Sequence, residues 1–466
     1  QRHWGLPIPV FYCTHCEKPV CTPETIARVS NIFRAEGSNA WYEKEVTELL
    51  PDAFVCPHCG GTHFSKETDT LDGWFDSGST HTAALLKCGK AKWPADVYLE
   101  GADQYRGWFQ SSMLTSVATR GEAPYKIVLT HGWVVDGEGR AMHKSLGNGV
   151  APEEIIKVYG ADLLRLWGAS SDYRVDVRAS DNIFKQLSQA YLKIRNTSRY
   201  ILGNLDGFDP NQPATELMEI DRWALSRLNR LIERVTASYE AYEFHPITHA
   251  IHNFCVVDMS NFYLDVIKDR LYCEGNDSPE RRAAQTTIYL ILDALVRMLA
   301  PILSFTAEEI WGFMPHADSA DTESVFLNDM PRVNPLYDDA ALEEKWNRIQ
   351  MIRDDVNLAL EAARVERKIG KSLEAAVTLF AEGELVSFLR SVSDLLPTVC
   401  IVSMVRVVSG KGEGKTGEQV PELTVQVEPA GGIKCPRCWN YSEEAGNDAE
   451  HPELCPRCLR VVKSEQ

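Results

Sequence analysis

The chain has 466 residues, 44% of them hydrophobic and 24% charged, with a net charge of −18. That length exceeds what one core can hold, so two to four domains are expected. No apolar run reaches the span of a membrane helix and no signal peptide opens the chain, which excludes a helical membrane protein. The acidic balance excludes general affinity for nucleic acid and leaves an RNA partner only local basic patches. Thirteen cysteines, eight of them in Cys-x-x-Cys hooks, point to metal rather than disulfides in a reducing, cytoplasmic setting. Gln1 is not an initiator methionine, and the chain is expected to begin inside a larger protein.

In chain order, Cys13-Thr-His-Cys16 and Cys56-Pro-His-Cys59 come first, around a helical-looking stretch with the pair Trp41-Tyr42. Each hook can supply two thiolates to one tetrahedral zinc ion. Cys21, His15, His58 and His63 are alternative ligands, and reduced, buried cysteines are the other reading. In Asp72-Gly-Trp-Phe-Asp-Ser-Gly78, Asp76 to Ser79 reads as a turn and helix start, with Ser77 or Ser79 capping the next helix. Trp93 to Leu99 reads as a strand ending at Glu100-Gly101, after which Asp103 and Gln104 open a helix. Strand, acid, glycine, helix is how a doubly wound sheet presents ligands at its carboxyl edge, though Asp103 also serves as a plain helix-start acid. Lys126 to Thr130 is a second β-branched strand. It ends at His131-Gly132-Trp133, where the histidine is either a ligand wall or a satisfied core residue. Asp136-Gly-Glu-Gly139 is a glycine turn. Met142-His-Lys-Ser-Leu-Gly-Asn148 then reads as a mobile loop before a helix opening at Pro152-Glu-Glu. A flexible loop with Lys144 and Ser145 suits delivery of a cation and a hydroxyl to phosphates; taken alone it is also an ordinary solvated loop.

Downstream, Gly160 to Trp167 is helical, and Ile183 to Leu205 has a helical period carrying Lys185, Lys193, Arg195 and Arg199. Asp206 to Pro213 is a linker by composition. Apolar stripes Leu225, Leu228, Leu231, Ile232, Val235, Tyr239, Tyr242 and Ile288, Ile291, Leu292, Leu295, Met298, Leu299, Ile302 predict the core of a helix bundle. Thr306-Ala-Glu-Glu309 reads as a capping box. The helix from Lys345 ends in Arg364, Arg367, Lys368 and Lys371, a candidate RNA-backbone patch or a solvated basic face. Ala375 to Phe380, Val399 to Val408 and Leu423 to Val427 are strand-like and suggest a small α/β module, with Lys411 to Gly417 a flexible loop. Cys435-Pro-Arg-Cys438 and Cys455-Pro-Arg-Cys458 close the chain at zinc-ribbon spacing. That segment is too small for a hydrophobic core, so metal is expected to drive its folding. Arg437, Trp439, Arg457 and Arg460 offer it cations and a stacking surface for RNA.

Ala141-Met142-His143-Lys144-Ser145-Leu-Gly-Asn resembles the Lys-Met-Ser-Lys-Ser loop of class I aminoacyl-tRNA synthetases. Tyr98 to Phe109 resembles their adenylate-binding strand and helix. Asp72 to Gly78 and the opening Gln1-Arg-His-Trp-Gly-Leu-Pro-Ile-Pro9 resemble the branch for isoleucine, valine and leucine, and the closing zinc module its bacterial isoleucyl members. The resemblance runs nearly end to end. It implies the second half of a Rossmann-type nucleotide fold with a zinc-binding insertion (1–168) and a connective tRNA-contacting region (169–213). A helical anticodon-binding bundle (214–373), a small α/β module (374–428) and a carboxyl-terminal zinc module (429–466) complete it.

The resemblance assigns Glu100 to the aminoacyl-adenylate, with Gly101, Asp103, Gln104, Trp74, His131 and Gly132 around it. It assigns Lys144 and Ser145 to catalysis and Met142, His143 and Lys144 to ATP. It implies isoleucine, ATP with Mg²⁺, tRNA(Ile), two zinc ions per chain and a monomer. A valyl or leucyl counterpart and a non-catalytic RNA- and zinc-binding module are the alternatives. Two departures stand out. The family's His-x-Gly-His signature and its editing domain are absent, both expected before Gln1, so this chain alone is expected to be inactive. Ala141 and His143 replace the usual lysine and serine; Lys144 survives, so charge stabilisation is expected to be weakened or redistributed rather than abolished, with His143 as a further donor.

Overall fold

The structure is a computed structural model that describes residues 5–88 and 91–465, without the side chains of Lys144 and Glu465. The first four residues of the opening motif therefore lie outside the described residues. Two compact units divide the chain: Gln1–Val134 with Tyr173–Val177, and Val135–Asp172 with Arg178–Gln466.

The first unit opens with an antiparallel sheet in which Phe11–Cys13 lies between Pro19–Val20 and Phe64–Lys66. Helix Pro23–Glu36 follows, its start fixed by a Thr22–Thr25 capping box. Phe11, Val29, Trp41 and Leu49 form a buried core here, and the Trp41 indole donates to the Glu67 carbonyl at 2.9 Å. The hooks of the first cysteine quartet thus rest on an apolar core of their own. Further on, strand Ala95–Gly101 runs parallel to Tyr125–His131, and helix Trp108–Arg120 makes the crossover between them. Leu99 and Ile127 on this pair stay exposed, although parallel strands are ordinarily covered on both faces. Helix Gly73–Gly78 starts earlier than expected, with Asp72 as its N-cap. Ser77 and Ser79 do not cap a following helix; their hydroxyls donate back to the carbonyls of Trp74 and Phe75.

The second unit is mainly helical. Asp181–Leu202, Glu219–Glu240, Phe244–Asn253, Pro279–Leu299, Ser304–Phe313 and Ala340–Val365 enclose one apolar core. The stripe residues Leu225, Leu228, Ile232, Ile288, Ile291, Leu292 and Leu295 are buried in it. The expected box at Thr306 is not a cap. Helix Ser304–Phe313 starts before it, and buried Asp162 accepts from the amides of Phe305 and Thr306 at 3.2 and 2.6 Å. The α/β module is a four-stranded sheet with Thr424–Pro429 antiparallel and Met404–Ser409 parallel to Ala375–Ala381. Val399 and Cys400 belong to helix Leu396–Cys400 rather than to a strand. Past Gly417 the glycine-rich loop is pinned, because Asp355 accepts from three successive amides, Glu418, Gln419 and Val420, at 2.7–2.9 Å. Strands Ile433–Lys434 and Tyr441–Ser442 and helix Pro456–Glu465 complete the unit. Among the described residues no helix is long and apolar enough to cross a membrane.

Candidate active site and metal centres

In the first unit, the parallel pairing sets Glu100 beside Thr130 and Gly101 beside His131, so the acid and the histidine share one carboxyl edge. A methyl group added at Gly101 would lie 2.6 Å from the Asp103 carboxylate and 3.4 Å from the His131 ring. Two predicted residues, Asp103 and His131, therefore flank the backbone at Gly101, and a side chain there would have to displace the Asp103 carboxylate. Gly107 does the same between the Gln104 amide oxygen, at 2.7 Å, and the Trp74 indole, at 3.0 Å. Gln104 is held by the Trp108 amide at 3.0 Å. Trp108 stacks on Tyr98 at 4.2 Å and donates from its ring to the Ser77 carbonyl. This joins the Trp74 helix to the strand edge. His131 Nδ1 sits 2.9 Å from the Gly132 carbonyl. A carbonyl only accepts, so Nδ1 is the donor in this contact. Glu100, Asp103, His131 and Trp74 are exposed, and Gln104 is half-buried.

The signature-like loop belongs to the second unit. Lys144 opens a single 3-10 turn, Lys144–Leu146; its side chain lies outside the described residues. His143 and Ser145 are exposed, and Met142 packs against the core of the second unit. Sequence reading missed two residues of this segment. Asp136, 7% exposed, accepts from the amides of Glu138 and Arg140, from the Arg140 guanidinium and from the Asn148 amide. Those donors, the Asn148 side chain foremost, hold its carboxyl well below the ordinary range. The Asp136-Gly turn was legible, but nothing in its composition signalled a partner twelve residues on.

Each cysteine quartet brings its four sulfurs within 4.8 Å of one another, with no histidine among them. Three of the four hooks share one conformation. The residue after the second cysteine has positive φ (Glu17 60°, Gly60 75°, Trp439 65°). Its amide donates to the carbonyl of the first cysteine in each case. That knuckle turns amides toward the sulfurs. In the first quartet, the amides of Cys16 and His15 pull the Cys13 thiol down to about 6. A methyl group at Gly61 would lie 3.0 Å from the Cys13 sulfur and 3.3 Å from that of Cys59. In the second quartet all four cysteines are buried, and hydrogen bonding from Cys458, ahead of the other donors, brings Cys438 to about 4. Four cysteine sulfurs drawn together in each quartet, buried throughout in the second, would suit tetrahedral Zn²⁺ as thiolates in a structural role.

The predicted RNA contacts divide. Arg437 donates to the Cys273 carbonyl, and Arg457 forks onto Asp269 and approaches Glu274 at 3.7 Å. Both guanidinium groups therefore fasten the zinc module to the bundle. Trp439 and Arg460 remain exposed. Arg364 is paired with Glu361 and Lys368 with Glu366, while Lys371 lies 5.4 Å over the Trp439 ring. The two basic patches read separately from the sequence thus meet at one surface. Beside it is a cavity of about 550 Å³ lined by Lys268, Tyr272, Arg437, Trp439, Asn440 and Arg457, among others.

Residues 1–180 match the family of class I tRNA synthetases for I, L, M and V. Residues 221–379 match the anticodon-binding domain of tRNA ligases, and 432–461 a zinc finger found in FPG and IleRS. The chain is 53% identical over 471 residues to an isoleucine–tRNA ligase of Caldanaerobacter subterraneus subsp. tengcongensis, covering 100% of this chain and 50% of that protein. It is 55% identical over 468 residues to that of Carboxydothermus hydrogenoformans, covering 99% and 50%. The chain therefore spans about half the length of the curated relatives it matches. Among solved structures it resembles a LeuRS of Agrobacterium radiobacter K84, in ternary complex with tRNA and LeuAMS. The TM-score is 0.53 at 20% identity, over 82% of this chain and 43% of that one.

Proposed function

The chain belongs to the isoleucine–tRNA ligase family of class I aminoacyl-tRNA synthetases, and we propose that it supplies the carboxyl-terminal half of an enzyme that charges tRNA(Ile) with isoleucine. One observation carries this reading: identity above one half runs from end to end with isoleucine–tRNA ligases and includes the signature-like loop. The isoleucine carboxylate attacks the α-phosphate of ATP and pyrophosphate leaves; the tRNA 3′-terminal hydroxyl then displaces AMP. No enzyme nucleophile is needed, so positioning and electrostatic stabilisation of phosphate charge carry the rate. Glu100 holds the α-ammonium of isoleucine, with Trp74, Gly101, Asp103 and Gln104 beside it, and His131 and Gly132 take the nucleoside. Lys144 and Ser145, with Met142 and His143, serve the phosphates. Mg²⁺ bound to ATP would neutralise part of its phosphate charge.

On the RNA side, Trp439, Arg460, Arg367 and Lys371 form the tRNA-facing surface. Arg364 and Lys368 flank it as paired charges, and Arg437 and Arg457 orient it. The exposed Trp439 ring beside a cavity suits an unstacked base. The protein acts as a cytoplasmic monomer in this reading.

ATP–pyrophosphate exchange by the full-length protein, with isoleucine, valine and leucine compared, tests it. Exchange driven best by isoleucine supports the reading; a preference for valine or leucine moves it to a sister enzyme. Tight tRNA binding with no exchange for any amino acid makes it an RNA-binding module.

A further inference from the structure

We propose that Asp136 and Asn148 form a latch that fixes the conformation of the loop carrying Lys144, and that both are positioning residues for the phosphate chemistry; this rests on the function proposed above. The loop leaves the fold at the Val135–Ala141 bridge and returns at Asn148. The Asn148 side chain closes it. Its Nδ2 donates to the Ala141 carbonyl at 3.1 Å and to the Asp136 carboxylate at 3.0 Å. Its Oδ1 accepts from the His143 amide at 2.9 Å. Asp136 is in turn fixed by the Glu138 and Arg140 amides at 3.0 and 2.9 Å and by the Arg140 side chain at 2.8 Å. One primary amide therefore reaches the backbone on the amino-terminal side of Lys144 at two residues and ties it to a buried carboxylate.

Every contact that Asn148 makes inside the loop is to main chain. The latch is accordingly blind to the side chains at 141 and 143, the two positions at which this loop departs from the family signature. The contacts that fix the backbone of residues 141–143, and with it the place from which Lys144 starts, use no side chain at 141 or 143. Met142 adds an apolar foot in the core of the second unit. Among the described side chains of residues 143–147, none is buried, so the fold around Lys144 is set by Asn148 rather than by packing. A lysine presented from an unlatched loop would sample many positions, and misplacement of a charged group by about 1 Å costs about a hundredfold in rate.

The experiment uses the full-length protein with Asn148→Ala, Asn148→Asp, Asp136→Asn and the exchanged pair Asp136→Asn/Asn148→Asp. Two readouts are taken. The first is the rate of tryptic cleavage after Arg140 and Lys144, with cleavage elsewhere and circular dichroism as folding controls. The second is pre-steady-state adenylate formation. Asn148→Ala should be cleaved at the loop about tenfold faster, since local opening is then opposed by fewer hydrogen bonds. Its adenylate rate should fall about a hundredfold at saturating ATP, with the KM for isoleucine nearly unchanged. Asn148→Asp should be worse than alanine, because two carboxylates then face one another, and the exchanged pair should recover part of that loss. Unchanged cleavage in folded Asn148→Ala overturns the latch. Faster cleavage with an unchanged adenylate rate overturns the positioning role. If the parent protein shows no isoleucine-dependent exchange, the proposed function fails, and the cleavage readout still decides whether the latch exists.

Discussion

At the scale of single residues, the division of labour between Glu100 and Lys144 leads to a kinetic expectation. The proposed role of Lys144 is with phosphate charge that develops in the transition state, and Glu100 serves the amino-acid end. Lys144→Ala in the full-length protein should therefore lower the rate of adenylate formation by about 3 kcal/mol, roughly a hundredfold, with little change in isoleucine affinity. Lys144→Arg should recover only part, because a planar guanidinium is a poor substitute for a compact ammonium. Single-turnover adenylate formation measures both, and an unchanged rate in folded Lys144→Ala would mean the phosphate chemistry lies elsewhere. Asp136 gives a pH expectation. Its donors depress its pKa in the fold, so its contribution is complete above the unfolded value of about 3.9 and is lost only as pH falls through the lower folded value. Exchange protection of the Glu138 and Arg140 amides, corrected for intrinsic rates, should stay flat between about pH 5 and pH 8. Protection that falls within that window would assign the turn's stability to another group.

At the scale of elements, what was legible and what was not separates by the range of the interaction. The cysteine quartets were legible because zinc demands two donors per hook at fixed spacing, and the fold brings all eight together as paired. The bundle stripes were legible because 3.6-residue periodicity survives any tertiary arrangement. The caps were not. Thr306 carried the local signal of a helix start, yet Asp162, 144 residues away, supplies the acceptor, and no local pattern encodes a partner at that distance. Val399 and Cys400 carry strand propensity but sit in a helical turn, buried against the second-unit core, where packing overrides propensity. The two metal elements should also respond differently. The first quartet rests on Phe11, Val29, Trp41 and Leu49, whereas among the described buried residues the second clusters with Leu454 and Cys273 alone. Protein purified without chelator should hold two zinc ions per chain by metal analysis. Stripping them should unfold 432–465 and leave the helix Pro23–Glu36 protected in hydrogen exchange. One ion per chain would remove the first site, and simultaneous loss of protection in both would contradict the separate core.

At the scale of the whole molecule, the net charge of −18 bears on the tRNA-facing surface proposed above. For that proposed surface, the fold brings Lys371 from the end of the bundle over the Trp439 ring of the zinc module. Arg437 and Arg457 looked like part of that surface in the sequence, because an arginine on a metal hook is read as exposed. They instead reach back across 164 and 188 residues to Cys273 and Asp269, and both line the cavity beside Trp439. The Arg457–Asp269 pair is partly solvent-exposed, so its coupling is worth about 1 kcal/mol after screening. Asp269→Ala should consequently loosen the zinc module and weaken tRNA binding by roughly fivefold, while isoleucine-dependent pyrophosphate exchange stays unchanged, since no residue assigned to that reaction touches this pair. Asp269→Arg should weaken binding further, and Asp269→Arg with Arg457→Asp should restore part of it, a recovery that only direct pairing allows. Filter binding of tRNA at one fixed salt concentration measures all three, because phosphate contacts make the affinity salt-dependent. If Asp269→Ala bound tRNA as the parent does, the zinc module would act without its anchor, and Trp439 would have to be held in place by Lys371 and its own knuckle alone.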